Sequence, residues 1–272
     1  GRCVINSINL EDGPARPAQV LELARRYGAA VVALVIDEQG MALTTERKLE
    51  VAERIYQMAV GEHGLAPQDL IFDMLTFTVA SGDPEARSAA QATLGAISEI
   101  KRRHPEVCTL LGVSNVSFGL KPALRRVLNS VFLAEATAGG LDMAIVNARG
   151  ITPLHRLDPE IKDVCHRLLH NEVSQGDPLA QLLERSGDAS AAERAAEEAA
   201  QGGVPLSDTQ QLQRQVVHGV KQNLGPLLDR LLAAGHAPLE LVNEQLIPAM
   251  KQVGDLFGAG QMQLPFVLQS AE

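Results

Sequence analysis

Hydrophobic positions in the first 170 residues alternate between short continuous apolar runs and longer amphipathic segments. The apolar runs predict five strands, over residues 3–5, 31–36, 70–72, 109–113 and 143–146. The amphipathic segments predict five helices, over residues 17–27, 45–63, 84–103, 122–138 and 159–169. Continuous runs of Val, Ile and Leu separated by helices are typical of a parallel sheet covered on both faces. The first part of the chain is therefore predicted to be an α/β domain.

Several predicted helices have a clear start, because a polar residue precedes the first turn or Pro opens it. These starts are Thr44–Thr45, Asp83–Pro84, Lys121–Pro122 and Asp158–Pro159. About five β/α units result, whereas a closed barrel of this kind has eight. The predicted fold is an incomplete TIM-type (β/α)8 barrel whose missing units are expected to precede Gly1. Such a truncated barrel should expose an edge strand and apolar surface.

The pattern changes after residue 170. We interpret 171–206 as a linker, because its segment 187–203 is rich in Ala and Glu and bracketed by glycines. Helices are predicted over 208–234, 238–256 and from Leu264 onward, with a possible N-cap at Ser207, a C-terminal glycine at Gly235 and a helix-opening Pro238. One apolar helical face is marked by Leu224, Leu227, Leu228, Leu231 and Leu232. Residues 207–272 are thus expected to form a small all-α bundle that continues past residue 272.

Composition narrows the class of protein. The chain has 272 residues, 46% of them hydrophobic, and a net charge of −9. A surplus of acidic residues argues against nucleic acid as a partner, since phosphate binding needs basic patches. An apolar run of transmembrane length is lacking, so no membrane association is expected. The three cysteines, Cys3, Cys108 and Cys165, have no CxxC spacing, which favours a reducing cytoplasm and predicts neither a zinc site nor disulfides.

Polar side chains follow each predicted strand of the first part. They are Asn6, Asp37, Asp73, Asn115 and Asn147. Loops favour Asn and Asp, so some of these side chains could simply cap turns. In an α/β barrel, however, the carboxyl ends of the strands form the functional face. We therefore predict a shared pocket that binds a polar ring, because no His, Cys or Lys nucleophile accompanies these residues.

Five segments in order resemble the pterin-binding barrel of cobalamin-dependent methionine synthases: INSINLEDG, VIDEQGMALTTERK, IFDMLTF, GVSNVSFGL and LDMAIVNA. That barrel is similar to those of corrinoid-dependent methyltetrahydrofolate methyltransferases and, more distantly, dihydropteroate synthases. The resemblance covers about residues 2–169 and implies that Asn6 and Asp73 hydrogen-bond the pterin. It places Asn115 at the ring nitrogen that carries the methyl group and Arg125 beside the pocket. Met74 stands where the family often has Pro.

The run LELVNEQLIPAMKQVGDLFGAGQMQLPFVLQSAE resembles the helical cap that precedes cobalamin-binding domains. Taken alone, Phe257 and Leu264 around a Gly-rich loop are typical core residues. The resemblance instead places them over the methyl-bearing face of the corrin, where they exclude solvent. Gln263 replaces a Phe that is frequent in the family.

No histidine lies in the DxHxxG motif that supplies the cobalt ligand in this family. We predict structural or surface roles, without partners at ligand spacing, for His63, His104, His155, His166 and His170. No metal site is predicted within the chain, and the zinc-containing homocysteine domain of the family has no counterpart here.

The resemblance implies a methyltransferase that acts on 5-methyltetrahydrofolate, cobalamin (as methylcobalamin) and homocysteine, giving methionine and tetrahydrofolate. Its partners are then the other domains of the same enzyme, and this chain alone is not expected to turn over. Two alternatives remain open at the level of sequence. One is a condensing enzyme similar to dihydropteroate synthase, which leaves residues 207–272 without a purpose. The other is a corrinoid-dependent methyltransferase or carrier whose barrel only docks a partner.

Overall fold

The computed structural model describes residues 2–80, 87–185, 207–221, 223–259, 262 and 264–271. The chain divides into two compact units. The first comprises residues 1–79, 83–118 and 125–178, and the second comprises 80–82, 119–124 and 179–272. Within the described ranges, no helix combines the length and apolar character needed to cross a membrane.

The first unit is built on a five-stranded parallel sheet. Its strands are β1 (Val4–Ile8), β2 (Ala30–Leu34), β5 (Leu70–Asp73), β6 (Cys108–Gly112) and β7 (Met143–Ile145), hydrogen-bonded in the order β1-β2-β5-β6-β7. The short strands β3 (Ile36–Asp37) and β4 (Gly40–Met41) form a separate antiparallel pair. Each strand of the large sheet is added beside its predecessor along the chain, as in an α/β barrel. The predicted fold class, an incomplete α/β barrel followed by a helical region, is confirmed.

Helices connect the strands of the sheet and follow the last one. They are α1 (Ala15–Tyr27), α2 (Thr45–Tyr56), α3 (Ala89–Arg103), α4 (Pro122–Ala138), α5 (Pro159–Leu169) and α6 (Pro178–Arg185). The predicted caps form where the chain is described: the Thr44 hydroxyl accepts the N–H of Arg47, and the Asp158 carboxylate accepts those of Glu160 and Ile161. The predicted start at Asp83–Pro84 lies outside the described residues.

Element boundaries depart from the sequence prediction at three places. The first strand extends to Ile8, so Asn6 lies inside it and not after it. The predicted strand 31–36 ends at Leu34, where the chain turns into the β3–β4 pair. The predicted helix 45–63 changes at its end into a π-helical turn, Gln57–Glu62. In addition, α6 lies within the segment interpreted as a linker, most of which is outside the described residues.

The sheet buries side chains on both faces. Val31, Ala33 and Phe72 are fully buried on one face. The opposite face carries a cluster of Ala30, Val32 and Ile71 with the partly buried Leu34, Cys108 and Leu110 packed against it. The outer strands behave differently, since Val4 and Ile145 are 53% and 58% exposed. This agrees with the expectation of exposed apolar side chains at the sheet edges.

The second unit is helical over its described residues from 207 onward. Its elements are α7 (Asp208–His218), α8 (Leu224–Ala233), α9 (Pro238–Leu241), a π turn (Val242–Leu246), α10 (Ile247–Gly258) and α11 (Leu264–Ala271). Ser207 and Gln210 form a capping box at the start of α7.

The prediction of one helix over residues 208–234 is wrong. Gly219 takes a left-handed conformation with φ of 64°, and Asn223 another with φ of 60°. The N–H of Gly219 donates to the Val216 carbonyl and that of Val220 to the Gln215 carbonyl. These bonds satisfy the carbonyls of the last helical turn, and glycine adopts this conformation without the strain of a side chain. The chain therefore ends α7 at His218 and begins α8 at Leu224, after five intervening residues.

The predicted helix 238–256 is continuous, but it contains the π turn Val242–Leu246. Pro248 comes two residues after this turn and has no N–H to donate to a carbonyl one turn earlier. A wider turn before a proline accommodates both the missing donor and the ring.

Packing in the second unit centres on α8. Leu212, Leu227, Leu231 and Leu241 form its buried cluster, and Leu224, Leu228 and Leu246 pack against it. Four of the five predicted leucines of α8 thus contribute to the core. Leu232 does not, because it is 44% exposed.

Adjacent leucines in α8 provide a matched stability test. Leu231→Ala should destabilise the second unit by about 3 kcal/mol, since it removes a side chain that is only 2% exposed and leaves a cavity. Leu232→Ala should cost less than about 1 kcal/mol, because its side chain is largely in water already. Urea unfolding followed by far-ultraviolet circular dichroism measures both. Equal losses for the two variants would contradict the assigned core.

Candidate functional site

Asn6 and Asp73 project from the same face of the parallel sheet. Asn6 pairs with Val32, Val32 pairs with Ile71, and Asp73 lies two residues beyond Ile71. Because side chains alternate along a strand, residues two apart share a face. The two Cα atoms are two strands and two residues apart, which corresponds to roughly 12 Å. Asn6 is exposed and Asp73 is half-buried, so both side chains can reach one ligand about the size of a fused ring system.

Asp73 is the last residue of β5, and its surroundings set its charge. One carboxylate oxygen accepts the N–H of Leu75 at 2.9 Å. Burial raises the pKa of Asp73, while that backbone hydrogen bond and the nearby Lys48 charge oppose the rise. The second carboxylate oxygen has no bond among those formed by the described residues. It is therefore the atom that a ligand would meet.

Lys48 lies in α2 and holds the loop that follows Asp73. It is fully buried, and its Nζ donates to the carbonyl of Met74 at 2.6 Å and to that of Leu75 at 3.4 Å. Burial lowers the pKa of Lys48 from 10.5 to about 7, and the neighbouring Asp73 carboxylate opposes the shift. Thr93 supports the same loop by donating its hydroxyl to the Leu75 carbonyl at 2.8 Å.

Sequence reasoning missed Lys48, although a signal for it exists. Lys48 shares the buried side of α2 with apolar residues, among them Leu49, Ala52 and Ile55. A lysine among the apolar positions of an amphipathic helix is unusual, because a buried ammonium group needs hydrogen-bond acceptors. That conflict could have marked Lys48 as a residue with a specific role.

Asn115 lies in the short 3-10 turn Val113–Ser117 directly after β6, and it is exposed. Its amide nitrogen folds back toward Gly112, where an added Cβ would be 3.1 Å away. A side chain at position 112 would therefore press on the amide. The glycine leaves Asn115 free to present both a donor and an acceptor at the end of the strand.

Arg125 fixes the turn that carries Asn115. Its Nε donates to the Ser117 hydroxyl at 3.2 Å, and its Nη2 donates to the Ser114 carbonyl at 3.1 Å. The Ser117 hydroxyl in turn donates to the Ser114 carbonyl at 3.2 Å. Arg125 thus lies beside Asn115, because it contacts residues of the turn both before and after Asn115.

Asp37 and Asn147, the two further pocket candidates, make local contacts. Asp37 is buried, and its carboxylate accepts hydrogen bonds from Arg47 and, at 2.7 Å, from Arg54, both on α2. Asn147 is exposed and accepts the N–H of Arg149 at 3.2 Å, so it caps a turn. Contact of either side chain with a ligand stays a prediction.

The prediction that the histidines lack partners at ligand spacing is wrong for His166 and His170. Both contact Glu135, and the three possible ligand atoms lie within 4.8 Å of one another. The signal was the spacing of the two histidines, four residues apart at the end of a helix. His104 has the structural role that was predicted, because it pairs with Glu53 at 2.8 Å and stacks on Tyr56.

Phe257 and Leu264 bracket the loop between α10 and α11. Phe257 is near the end of α10, Leu264 opens α11, and both are half-buried. Met262 between them is buried at 7% exposure. Two partly exposed apolar side chains beside an interhelical loop fit a lid for a large apolar ring. Gln263 lies outside the described residues.

Residues 1–147 match the family model for pterin binding enzymes. With more than half of its length matched, this chain belongs to the family of pterin-binding enzymes. Residues 208–272 match the model for a B12 binding domain.

Two similar proteins are the methionine synthases of Mycobacterium tuberculosis (strain ATCC 25618 / H37Rv) and Mycobacterium leprae (strain TN). Each is 46% identical over 277 residues, which cover 100% of this chain and 23% of the relative. The chain thus spans about a quarter of the length of these curated relatives. The resemblance inferred from the sequence is confirmed.

Proposed function

We propose that this chain is part of a cobalamin-dependent methionine synthase. The complete enzyme would move a methyl group from 5-methyltetrahydrofolate to cob(I)alamin and then to homocysteine, giving methionine and tetrahydrofolate. The observation that carries this proposal is the joining of two matches in one chain, pterin binding over residues 1–147 and B12 binding over 208–272. A condensing enzyme similar to dihydropteroate synthase has no use for a B12-binding region.

Asn6 and Asp73 bind the pterin ring in this proposal. A pterin edge carries neighbouring hydrogen-bond donors and acceptors, which suit an amide and a carboxylate. The shared sheet face of the two residues supports this assignment. Lys48 then acts as a positioning residue, since it holds the carbonyls of the loop that follows Asp73.

Asn115 acts at the ring nitrogen that carries the methyl group. That nitrogen leaves more easily when a hydrogen bond or proton offsets the electron pair it gains. An amide can accept from the protonated nitrogen or donate to the neutral one, so Asn115 stays paired in either state. Arg125 keeps Asn115 in place through its contacts to Ser114 and Ser117.

Cobalamin, when bound, supplies the nucleophile that accepts the methyl group. Phe257 and Leu264 would exclude water from its upper face. Homocysteine and its zinc would belong to other domains of the same enzyme. We also propose a cytoplasmic location, which the three free thiols of Cys3, Cys108 and Cys165 support.

The test uses the intact parent protein loaded with cobalamin. Cob(I)alamin absorbance is followed after 5-methyltetrahydrofolate is added, with tetrahydrofolate that lacks the methyl group as control. We expect rapid loss of the cob(I)alamin band with the methylated folate alone. A stable band despite bound corrinoid would overturn the proposal and favour a carrier whose barrel only docks a partner.

A further inference from the structure

We propose that Glu135, His166 and His170 form a binding site for a divalent transition metal, with zinc as the expected ion. Glu135 lies near the end of α4, His166 is in α5, and His170 directly follows α5. Over the ranges that the structure describes, this is the one group of at least three such side chains whose ligand atoms converge. None of the three belongs to the proposed pterin or cobalamin sites.

The geometry of the group is close to that of a ligand set. Glu135 places one carboxylate oxygen 2.9 Å from Nδ1 of His166 and the other 2.7 Å from Nε2 of His170. Ligand atoms of tetrahedral zinc are separated by about 3.3 Å. The two imidazole rings are near neighbours, with centroids 4.4 Å apart and planes inclined by 45°. Small side-chain rotations would therefore open the group around an ion.

The chemistry of the three side chains suits zinc. Two imidazoles and one carboxylate form a common three-ligand set for this metal, with the remaining position open to water. Two histidines four residues apart on a helix face the same side, so both can bind one ion. No thiol belongs to the converging group, so its ligand atoms are nitrogen and oxygen only.

A bound ion would join two helices that follow different strands. Glu135 belongs to α4, the helix after β6, whereas His166 lies in the helix after β7 and His170 directly follows it. The same α4 carries Arg125, which holds the turn of Asn115. A bound ion would therefore hold the end of α4 against the end of α5.

The test is a Zn²⁺ titration of the 272-residue chain by calorimetry, with Co²⁺ as a spectroscopic probe. We expect one saturable site, and Co²⁺ bands without a sulfur-to-cobalt transition. His166→Ala and His170→Ala should each weaken binding by more than about 100-fold, because loss of a partner outside the ligand set already costs roughly 10- to 100-fold. At a free Zn²⁺ concentration a hundred times Kd, the unfolding equilibrium constant of the wild type should fall about 100-fold.

His236→Ala is the matched control. His236 also pairs with a glutamate, Glu240 at 3.4 Å, but no third ligand atom converges on this pair among the residues that the structure describes. Its variant should bind Zn²⁺ like the wild type. Glu135→Gln provides a further ligand variant that preserves side-chain size if a histidine variant folds poorly. Wild-type binding in all three ligand variants, or a sulfur-to-cobalt band, would overturn the site.

Discussion

Asn115→Ala should slow methyl transfer from 5-methyltetrahydrofolate to cob(I)alamin by roughly 100- to 1,000-fold. The reason is that the amide is proposed to stabilise the charge that develops on the leaving nitrogen, and a single such hydrogen bond is typically worth this much. Because the amide reaches its position on an exposed turn, its removal leaves no buried cavity. Single-turnover decay of cob(I)alamin absorbance in the intact protein measures the effect.

Two further variants separate this role from a loss of structure. Asn115→Asp keeps the size of the side chain but removes its donor, so it should also be slow. Asn171→Asp makes the same change at an exposed turn after α5 and should react at the wild-type rate. All three should unfold at temperatures close to that of the wild type. Normal transfer by Asn115→Ala would remove Asn115 from the mechanism.

Stability of the first unit should rise with pH between about 7 and 9 because of Lys48. Its pKa in the folded protein is about 7, whereas the unfolded chain keeps the ordinary value of 10.5. In this range the unfolded chain holds a proton that the folded protein lacks, so a higher pH disfavours unfolding. The rise between about pH 7 and pH 9 corresponds to roughly 2 kcal/mol. Above pH 9 the Cys165 thiol opposes it, because burial raises the pKa of that thiol to about 12 and the unfolded chain loses its proton first.

Lys48→Met should remove this increase. The free energy of unfolding is measured in urea at several pH values by tyrosine fluorescence, since both tyrosines, Tyr27 and Tyr56, lie in the first unit. Lys162→Met is the control, because Lys162 is exposed and in the same unit. We expect the wild type and Lys162→Met to share one slope and Lys48→Met to be flatter. Equal slopes in all three would show that Lys48 is not desolvated in the folded protein.

Much of the sheet could be predicted because its strands are short, continuous apolar runs. The same reasoning placed Asp73 and Asn115 at strand ends, since both follow such runs directly. It failed at Asn6, which is inside β1, because a polar residue on an exposed outer strand is not distinguished from a loop residue. Hydrophobic patterns reveal a strand through its buried positions, and a strand at the edge of a sheet has few of them.

Contacts between distant segments could not be predicted. The carboxylate of Asp37 binds two arginines of α2, and Glu135 meets two histidines 31 and 35 residues away. Such pairings depend on how the helices pack around the sheet. The periodicity of a single segment carries no information about that packing. The break at Gly219 was missed for another reason. A glycine within a helical pattern can be tolerated or can end the helix, and the neighbouring hydrogen bonds decide which occurs.

The π turn before Pro248 affects which changes of length the gene can tolerate in this helix. A π turn holds one residue more than a regular turn, so it takes up an additional residue while the helix on either side keeps its orientation. Loss of one codon within Val242–Leu246 should therefore restore a regular turn and leave Leu241 and Phe257 facing as they do now. Loss of one codon in the regular helix Ile247–Gly258 would instead rotate the residues after it by about 100°. A change of length among homologous genes should thus be tolerated more readily at this turn, where Val242 and its neighbours are largely exposed, than in the helix that follows.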